Sequence, residues 1–439
     1  MRTLLVKYAL ISALLLALLP LPVALPEEQS ASPSLNLFYN YDTKFEPSPG
    51  DMAGTERFQL SQDYPSQLPA ESLPWANLDF RQASSWKKYL GTILEYCYQG
   101  NTDPAVNWKV QKNTTRKWFH APWLHFGGTG REPLQGMTYE LASEPEKLSK
   151  NQKENSQNWA VSVYNAMGGF TIGQVWANPN CPNPTKAVFP KGTVAIKLLF
   201  TYDPGNKIKY LDGQENLNWK GYIYEKMPED PRRPDPKQKR AVSNLKLLQV
   251  DIAVRDNRSP TNWVFGTYVY NAQAQQSPFA NCSPTNSPWC KVVPIGLAWG
   301  QQANERHFND SRELPEELLA TTHEKINFGF EGRLNGPVDN RNSSCLSCHA
   351  TASWPQFDRV PPEDLDSEQK KHWFENYKAT EARTPFWKGT ETLDYSLQLS
   401  SGIRNFYQAR DGKGCLKNQA LPFPDNQKDA RQIPVLRSP

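Results

Sequence analysis

The clearest chemistry in the sequence lies in five consecutive residues: Cys345, Leu346, Ser347, Cys348 and His349. Two cysteines separated by two residues and followed at once by a histidine form the attachment signature of c-type haem. In that chemistry the two thiols add to the vinyl groups of one haem, and the adjacent histidine becomes an axial ligand of the iron. We therefore expect one covalent haem c on Cys345 and Cys348, with His349 as the proximal ligand.

Two other sites use closely spaced cysteines, a structural zinc knuckle and a redox-active C-x-x-C pair. Zinc needs a second pair of ligands at short spacing, and none follows Cys348. A thioredoxin-like pair lies where a strand meets a helix in a βαβ unit. Residues 333–344, directly before the motif, are instead rich in Gly, Pro, Asn and Ser and predict a loop. The pattern therefore favours haem over both alternatives.

The first residues of the chain predict export. Arg2 and Lys7 precede an apolar run over residues 8–25, whose end is broken by two prolines, and a more polar stretch follows. This order is typical of a secretory signal peptide, here residues 1–32, with small residues at 30–32 for cleavage. An uncleaved membrane anchor is the alternative, but the run is barely long enough. We expect a periplasmic or otherwise exported protein, which is also where haem c is attached.

The remaining five cysteines would lie in an oxidising compartment, where disulfides are common. Cys282 and Cys290 bracket a short Ser/Pro-rich loop, and we expect a disulfide between them. The sequence does not pair Cys97, Cys181 and Cys415, and one of these three is left over in any pairing.

The sixth ligand of the iron is not evident from the sequence. A small electron-transfer cytochrome c places a methionine downstream of its motif, whereas all five methionines here precede Cys345: Met1, Met52, Met137, Met167 and Met227. Five other histidines are candidates: His120, His125, His307, His323 and His372. His120 and His125 lie in an aromatic segment, residues 118–126. If none of these residues binds the iron, the open position can bind a small molecule.

Composition limits the class of protein. The chain has 439 residues, with 37 prolines, 14 tryptophans and a net charge of +4. Many short elements joined by loops fit this proline content better than a helical bundle does. The small charge and the absence of a dominant basic run argue against nucleic-acid binding.

Hydrophobic periodicity predicts an α+β fold, in which a sheet-rich haem c domain has flanking helices. Helices are expected over residues 80–97, 363–377 and 393–409, and strands over residues 159–164, 171–176, 194–200, 245–255, 262–270 and 292–299. Along residues 194–200 the apolar side chains share one face and Lys197 lies on the other. Lys197 there is either solvated or directed into a pocket. We divide the chain into a signal peptide (1–32), a helical and irregular region (33–158), the haem c domain (159–360), and C-terminal helices and tail (361–439).

Four segments in this order resemble the cytochrome P-460 family and its relatives, the beta-type cytochromes c-prime. They are Phe189–Lys197, Gln249–Asp256, Asn262–Phe265 and Cys345–His349. The resemblance covers residues 159–360. This chain is longer than those proteins, and residues 350–439 follow the motif.

The resemblance implies an antiparallel haem fold with a five-coordinate iron, the motif histidine on one side and an open face on the other. In cytochrome P-460 members a lysine is bonded to the haem and hydroxylamine is oxidised. The beta-type relatives bind nitric oxide or carbon monoxide without that bond. Lys197 is similar in position to the bonded lysine, which makes it a candidate for a haem cross-link.

Three functions follow from these observations. The first is an exported haem-dependent oxidoreductase or gas-binding protein that takes a small nitrogen compound or diatomic gas, such as hydroxylamine or nitric oxide. The second is an electron carrier that docks to a partner redox protein, with a histidine or an upstream methionine on the iron. The third is a binding protein with a structural or sensory haem, which we rank last.

Overall fold

The computed structural model describes most of the chain between residues 38 and 410. Within that span it leaves out residues 42–45, 53–54, 126–129, 203–207, 215–218, 227–236, 276, 278–281, 284–286, 302–315, 320–328, 356–360, 362–364 and 378–384. The predicted signal peptide, Met227, His307, His323 and Cys415 lie outside the described residues.

The fold is α+β, as expected, and is built on one large antiparallel sheet. Strands run across this sheet in the order β1-β3-β4-β7-β8-β9-β10, and β2 also pairs with β3. Their bounds are β1 Trp118–Phe119, β2 Thr138–Ser143, β3 Ser156–Asn165, β4 Val194–Tyr202, β7 Lys246–Arg255, β8 Trp263–Tyr270, β9 Val292–Ala298 and β10 Glu317–Leu319. Two small sheets pair β5 (Lys220–Tyr224) with β6 (Arg240–Asn244), and β11 (Ser353–Trp354) with β12 (Glu391–Thr392).

The helices are short and lie on both sides of the sheet. They are α1 Trp86–Tyr98, α2 Ala166–Val175, α3 Cys345–Ala350, α4 Ser367–Trp373 and α5 Leu397–Ala409. Single turns of 3₁₀ helix cover Val110–Lys112, Pro184–Lys186, Lys209–Leu211, Pro288–Lys291 and Phe330–Gly332. The described helices include none that is long and apolar enough to cross a membrane.

The strand expected at residues 171–176 is wrong, because this segment belongs to helix α2. The side chain of Asn165 caps the helix by accepting a hydrogen bond from the backbone N–H of Gly168. Gly168, Ile172 and Val175 are buried at helical spacing. The neighbouring Gly169 lies so close to the Phe119 ring that a β-carbon would not fit. The cap and this close approach override the strand-like composition of the segment.

One face of the sheet is apolar and packs on helix α1. Val194, Ile196 and Leu198 of β4 lie on this face, as the period of two predicts. Alternate residues of β7 and β8 join them in one buried cluster with α1. Gly266 of β8 allows close contact, since a β-carbon there would lie 2.5 Å from Leu90 of α1. This side of the sheet is the main hydrophobic core.

The opposite face carries small and polar side chains in the middle of the sheet. Register places Lys197, Asp251 and Thr267 side by side on β4, β7 and β8. The next row along the same strands is Ala195, Ala253 and Phe265. A second apolar cluster, formed with α3 and α5, borders these rows. This face is the one that receives the C-x-x-C-H segment.

The predicted disulfide between Cys282 and Cys290 is confirmed, with 5.3 Å between the Cα atoms. Cys181 is also in a disulfide. Cys97 is a buried thiol on α1.

The described residues belong to one compact unit that begins at Phe38. Strands β1 and β2 come from the region 33–158, yet they pair with β3 of the predicted haem domain. The large sheet therefore extends across the boundary that we drew at residue 158.

Leu90→Ala tests the packing of α1 on the sheet. Leu90 is fully buried, and its side chain occupies the space where a side chain at position 266 of β8 would otherwise lie. We expect the free energy of unfolding to fall by about 3 kcal/mol, because buried Leu-to-Ala changes lose transfer energy and leave a cavity. Lys88→Ala, at an exposed position of the same helix, should change it by less than about 0.5 kcal/mol. Chemical denaturation of both variants checks this, and equal losses would contradict the assigned packing.

Candidate functional site

The C-x-x-C-H motif forms helix α3, and the sequence explains why a helix begins there. The Ser344 side chain accepts a hydrogen bond from the Ser347 backbone N–H, and the Ser347 hydroxyl accepts one from the Ser344 backbone N–H. This reciprocal capping box stabilises a helix start. The Ser344 hydroxyl also donates to Oε1 of Gln301, at 2.6 Å, which ties the helix to the end of β9.

Burial divides the residues of α3 into two sets. Leu346 and Ala350 are buried and anchor the helix in the second apolar cluster. Cys345, Cys348 and His349 are only half-buried. Residues three and four apart share one helix face, so the half-buried set forms one partly accessible surface. The three side chains that haem attachment requires are therefore presented together.

One hydrogen bond fixes the His349 ring. Its Nδ1 lies 2.9 Å from the backbone carbonyl oxygen of Tyr395. A carbonyl can only accept, so Nδ1 carries the proton and donates it. The ring is thereby held in an orientation in which Nε2 is the nitrogen that can bind a metal. The Phe265 ring, with its centroid 4.8 Å away, supports the imidazole from the sheet.

The turn that supplies this carbonyl is conformationally unusual and firmly anchored. Asp394 and Tyr395 have φ angles of 48° and 66°, two consecutive left-handed residues that are not glycine. Such residues cost roughly 1–3 kcal/mol each and persist only where surrounding contacts hold them. The Asp394 carboxylate accepts hydrogen bonds from Nε1 of Trp263 (2.7 Å) and the backbone N–H of Phe189 (2.8 Å). It also pairs with buried Arg255, whose Nε lies 3.7 Å away.

A small pocket, with a cavity volume of about 30 Å³, adjoins His349 on the face of the sheet opposite helix α1. Its lining residues are Tyr164, Ala195, Ala253, Trp263, Phe265, His349, Asp394, Tyr395 and Ser396. Small side chains at Ala195 and Ala253 leave the centre of the sheet open. The described lining contains no methionine and no histidine other than His349.

Lys197 lies in the neighbouring row of this face, within an ionic cluster. Its Nζ is 3.3 Å from a carboxylate oxygen of Glu140 on β2, and both side chains are half-buried. Burial alone lowers the pKa of this ammonium. The charges of three carboxylates, Glu140, Asp339 and Asp251, outweigh burial and raise the pKa above its ordinary value. Lys197 is therefore a cation at neutral pH.

Asp251 connects this cluster to the motif. Its carboxylate accepts hydrogen bonds from the Thr267 hydroxyl (2.8 Å) and the Gln249 amide (2.6 Å). Burial first, and then the charge of Asp339, raise the pKa of Asp251 to about 7. The same carboxylates add to burial in raising the pKa of the Cys345 thiol well above its ordinary value. Cys345 is therefore a protonated thiol at neutral pH.

Two thiols and one imidazole on a single helix face are the donor set that haem c needs. Among the described residues, no group of three or more His, Cys, Asp or Glu side chains is arranged to hold a metal ion. A haem needs only one or two axial ligands, because its porphyrin binds the iron. His349, Cys345 and Cys348 would hold it.

The other candidate ligands lie elsewhere. His120 is buried against Phe58, and His125 lies between Tyr39 and Trp123. His372 packs on Phe386, with its Nδ1 2.7 Å from the Tyr377 hydroxyl. Met137 is fully buried in the main core, and Met167 lies beside Gly192. None of these side chains lines the pocket beside His349 in the described part of the chain.

Sequence reasoning missed the residues that support His349. The helix predicted from residue 393 begins at Leu397, and the residues before it form the turn that carries Asp394 and Tyr395. No sequence pattern signals that turn. Asp251 and Arg255 could have been noticed, because they alternate with apolar residues along β7 and share the face of Lys197.

Comparisons with protein-family models, with curated protein sequences and with solved structures find no match for this chain. The resemblance to the cytochrome P-460 family stays a prediction that rests on the four quoted segments.

Asp394→Asn tests the anchor of the Tyr395 turn. The substitution leaves the Arg255 guanidinium, 2% exposed, without its buried carboxylate. We expect the free energy of unfolding to fall by about 3 kcal/mol, because an uncompensated buried charge is costly. Adding Arg255→Met should recover part of this loss, as measured by denaturation of the single and double variants. If the two substitutions lower the free energy of unfolding additively, the assigned pairing of Asp394 with Arg255 is contradicted.

Asp251→Asn tests the ionisation of Asp251. Between about pH 4 and pH 7 the folded chain keeps a proton on Asp251 that the unfolded chain releases. The free energy of unfolding contributed by this group therefore falls as pH rises through that window. We expect Asp251→Asn to be more stable than wild type at pH 8, by about 2 kcal/mol, with a smaller difference at pH 4. Denaturation curves across this range check it, and a constant difference would contradict the raised pKa.

Proposed function

We propose that the chain is an exported mono-haem c-type cytochrome that binds a small nitrogen compound or diatomic gas, such as nitric oxide, at an open iron position. One observation carries the proposal: the His349 ring is fixed by the Tyr395 carbonyl beside a helix face that presents Cys345 and Cys348. The haem would supply an iron whose reactivity depends on its axial ligand and pocket. The chain supplies that ligand, its orientation and the pocket walls.

An open iron position is supported by the surroundings of His349. The pocket is lined by aromatic, small and hydroxyl side chains, and its described lining offers no second histidine or methionine. Tyr164 borders it with a hydroxyl held 2.8 Å from that of Ser396. Near His349, therefore, the described residues offer no second histidine or methionine to bind the iron, which favours an open position.

The electrostatics of Lys197 favour ligand binding without a haem cross-link. An amine forms a covalent bond to carbon through its unprotonated nitrogen, and lysines that react in this way have lowered pKa values. The carboxylates around Lys197 raise its pKa instead. We therefore propose an uncross-linked Lys197, which corresponds to gas binding rather than to hydroxylamine oxidation.

Cysteine variants of the chain matured with haem test cofactor attachment. We expect covalent haem, detected by mass analysis of the haem peptide, in wild type and its loss in Cys345→Ala/Cys348→Ala. Cys97→Ala is the matched control, since Cys97 is also a thiol but is buried on α1, and it should keep the haem. Covalent haem that survives in the double variant would contradict the proposal.

The visible spectrum of the same protein, oxidised and reduced, with and without nitric oxide, tests the function. A high-spin spectrum that shifts with ligand is the expected result. A low-spin spectrum indifferent to nitric oxide would indicate the alternative, an electron carrier that docks to a redox partner. A Lys197 peptide joined to the haem peptide would favour the hydroxylamine-oxidising enzyme and contradict gas binding.

A further inference from the structure

Trp263 on β8 is a buried tryptophan whose indole N–H is bound to a carboxylate. Its side chain is 2% exposed, and its Nε1 donates to Oδ1 of Asp394, itself fully buried, at 2.7 Å. Other buried tryptophans have an indole N–H without a hydrogen-bond partner in the described part of the chain: Trp108, Trp118, Trp123, Trp159 and Trp176. Trp263 differs from these in having a charged acceptor for its proton.

Trp263 also lies close to His349. The two side chains line the same small pocket. The Phe265 ring neighbours both, with its centroid 6.4 Å from that of Trp263 and 4.8 Å from that of His349. An electron can therefore pass between Trp263 and a group bound at His349 across short gaps between aromatic rings, without movement of the chain.

The Asp394 carboxylate is suited to take a proton from the indole. It also accepts a hydrogen bond from the backbone N–H of Phe189, and Nε of buried Arg255 lies 3.7 Å away. These N–H donors and the nearby cation favour its charged form. Loss of an electron makes the indole N–H a much stronger acid, and a carboxylate at hydrogen-bond distance is a base that can accept this proton. Asp394 therefore makes Trp263 easier to oxidise.

The two tyrosines of the pocket have weaker proton acceptors in the described structure. The Tyr164 hydroxyl lies 2.8 Å from the Ser396 hydroxyl. The Tyr395 hydroxyl donates to the backbone carbonyl oxygen of Tyr377 at 2.7 Å. Hydroxyls and amide carbonyls are far weaker bases than a carboxylate. Among the oxidisable side chains beside His349, the hydrogen bonds therefore favour Trp263 as the electron donor.

We propose that Trp263 is a redox-active residue, which gives up one electron when the reduced, haem-loaded protein reacts with hydrogen peroxide. This inference rests on the proposed function, because it needs a haem at His349 with an open iron position. One hydrogen peroxide takes up two electrons and two protons from solvent and leaves as two water molecules. One electron comes from the iron, which passes from the ferrous to the ferric state. The other comes from Trp263, whose indole proton moves to Asp394 and leaves a neutral tryptophan radical.

Electron paramagnetic resonance of the reduced, haem-loaded protein, mixed anaerobically with hydrogen peroxide and rapidly frozen, tests this inference. We expect an organic radical beside the ferric signal, in a yield comparable to that of the haem. Electron–nuclear double resonance should show deuterium couplings after growth with ring-deuterated tryptophan and none with ring-deuterated tyrosine. A radical that carries only the tyrosine label, or no radical once the haem is ferric, would overturn the inference.

Trp263→Phe removes the electron donor, and Trp176→Phe is the matched control. Trp176 is buried in the same apolar cluster as Trp263, but its indole N–H has no partner among the described residues. We expect Trp263→Phe to lose the tryptophan radical and Trp176→Phe to keep it. A tryptophan radical that survives in Trp263→Phe would contradict the assignment, as would its loss in Trp176→Phe.

Wild type alone keeps the inference testable if Trp263→Phe fails to fold. A radical two ring contacts from His349 should show much faster spin relaxation than an isolated tryptophan radical, because the ferric iron is close. Relaxation like that of an isolated radical would place it elsewhere and overturn the inference. A haem that binds nitric oxide and is oxidised by peroxide without a tryptophan radical would refute this inference alone. A haem indifferent to both reagents would remove the proposed function as well.

Discussion

The hydrogen bond from Nδ1 of His349 to the Tyr395 carbonyl is the contact on which the rest of the site depends. It sets the ring orientation, the tautomer and the nitrogen that can bind iron. The carbonyl is in place because Asp394 and Tyr395 adopt left-handed conformations. Those conformations are held by buried contacts of Asp394 with Trp263 and Arg255. Three segments distant in sequence thus fix one imidazole.

The two faces of the large sheet provide two different environments, one apolar and one with small or charged side chains. Along β4 and β7, alternate side chains are large and apolar on the face that packs on α1, and small or charged on the other. Burial of the apolar face provides the stability. That stability allows the other face to hold small side chains, such as Ala195 and Ala253, and a costly ionic cluster around Lys197. The position of the pocket follows from the period-two pattern of the strands.

Much of this architecture could be predicted from the sequence, because it depends on local periodicity. The strands at residues 194–200, 245–255 and 262–270 and the Cys282–Cys290 disulfide are confirmed. Helix α2 was not predicted, since its cap and its close glycine contacts depend on residues brought together by the fold. The same holds for the partners of Lys197. Glu140 lies on β2 and Asp339 precedes the motif, and no spacing in the sequence connects them.

We propose His349 as an axial ligand of a haem whose other side is open. Resonance Raman spectroscopy of the reduced, haem-loaded protein tests it most directly, since a five-coordinate iron shows an iron–imidazole stretching band. We expect this band in wild type and its loss in His349→Gly, with recovery when imidazole is added. A six-coordinate, low-spin spectrum without the band, or a band that persists in His349→Gly, would contradict it.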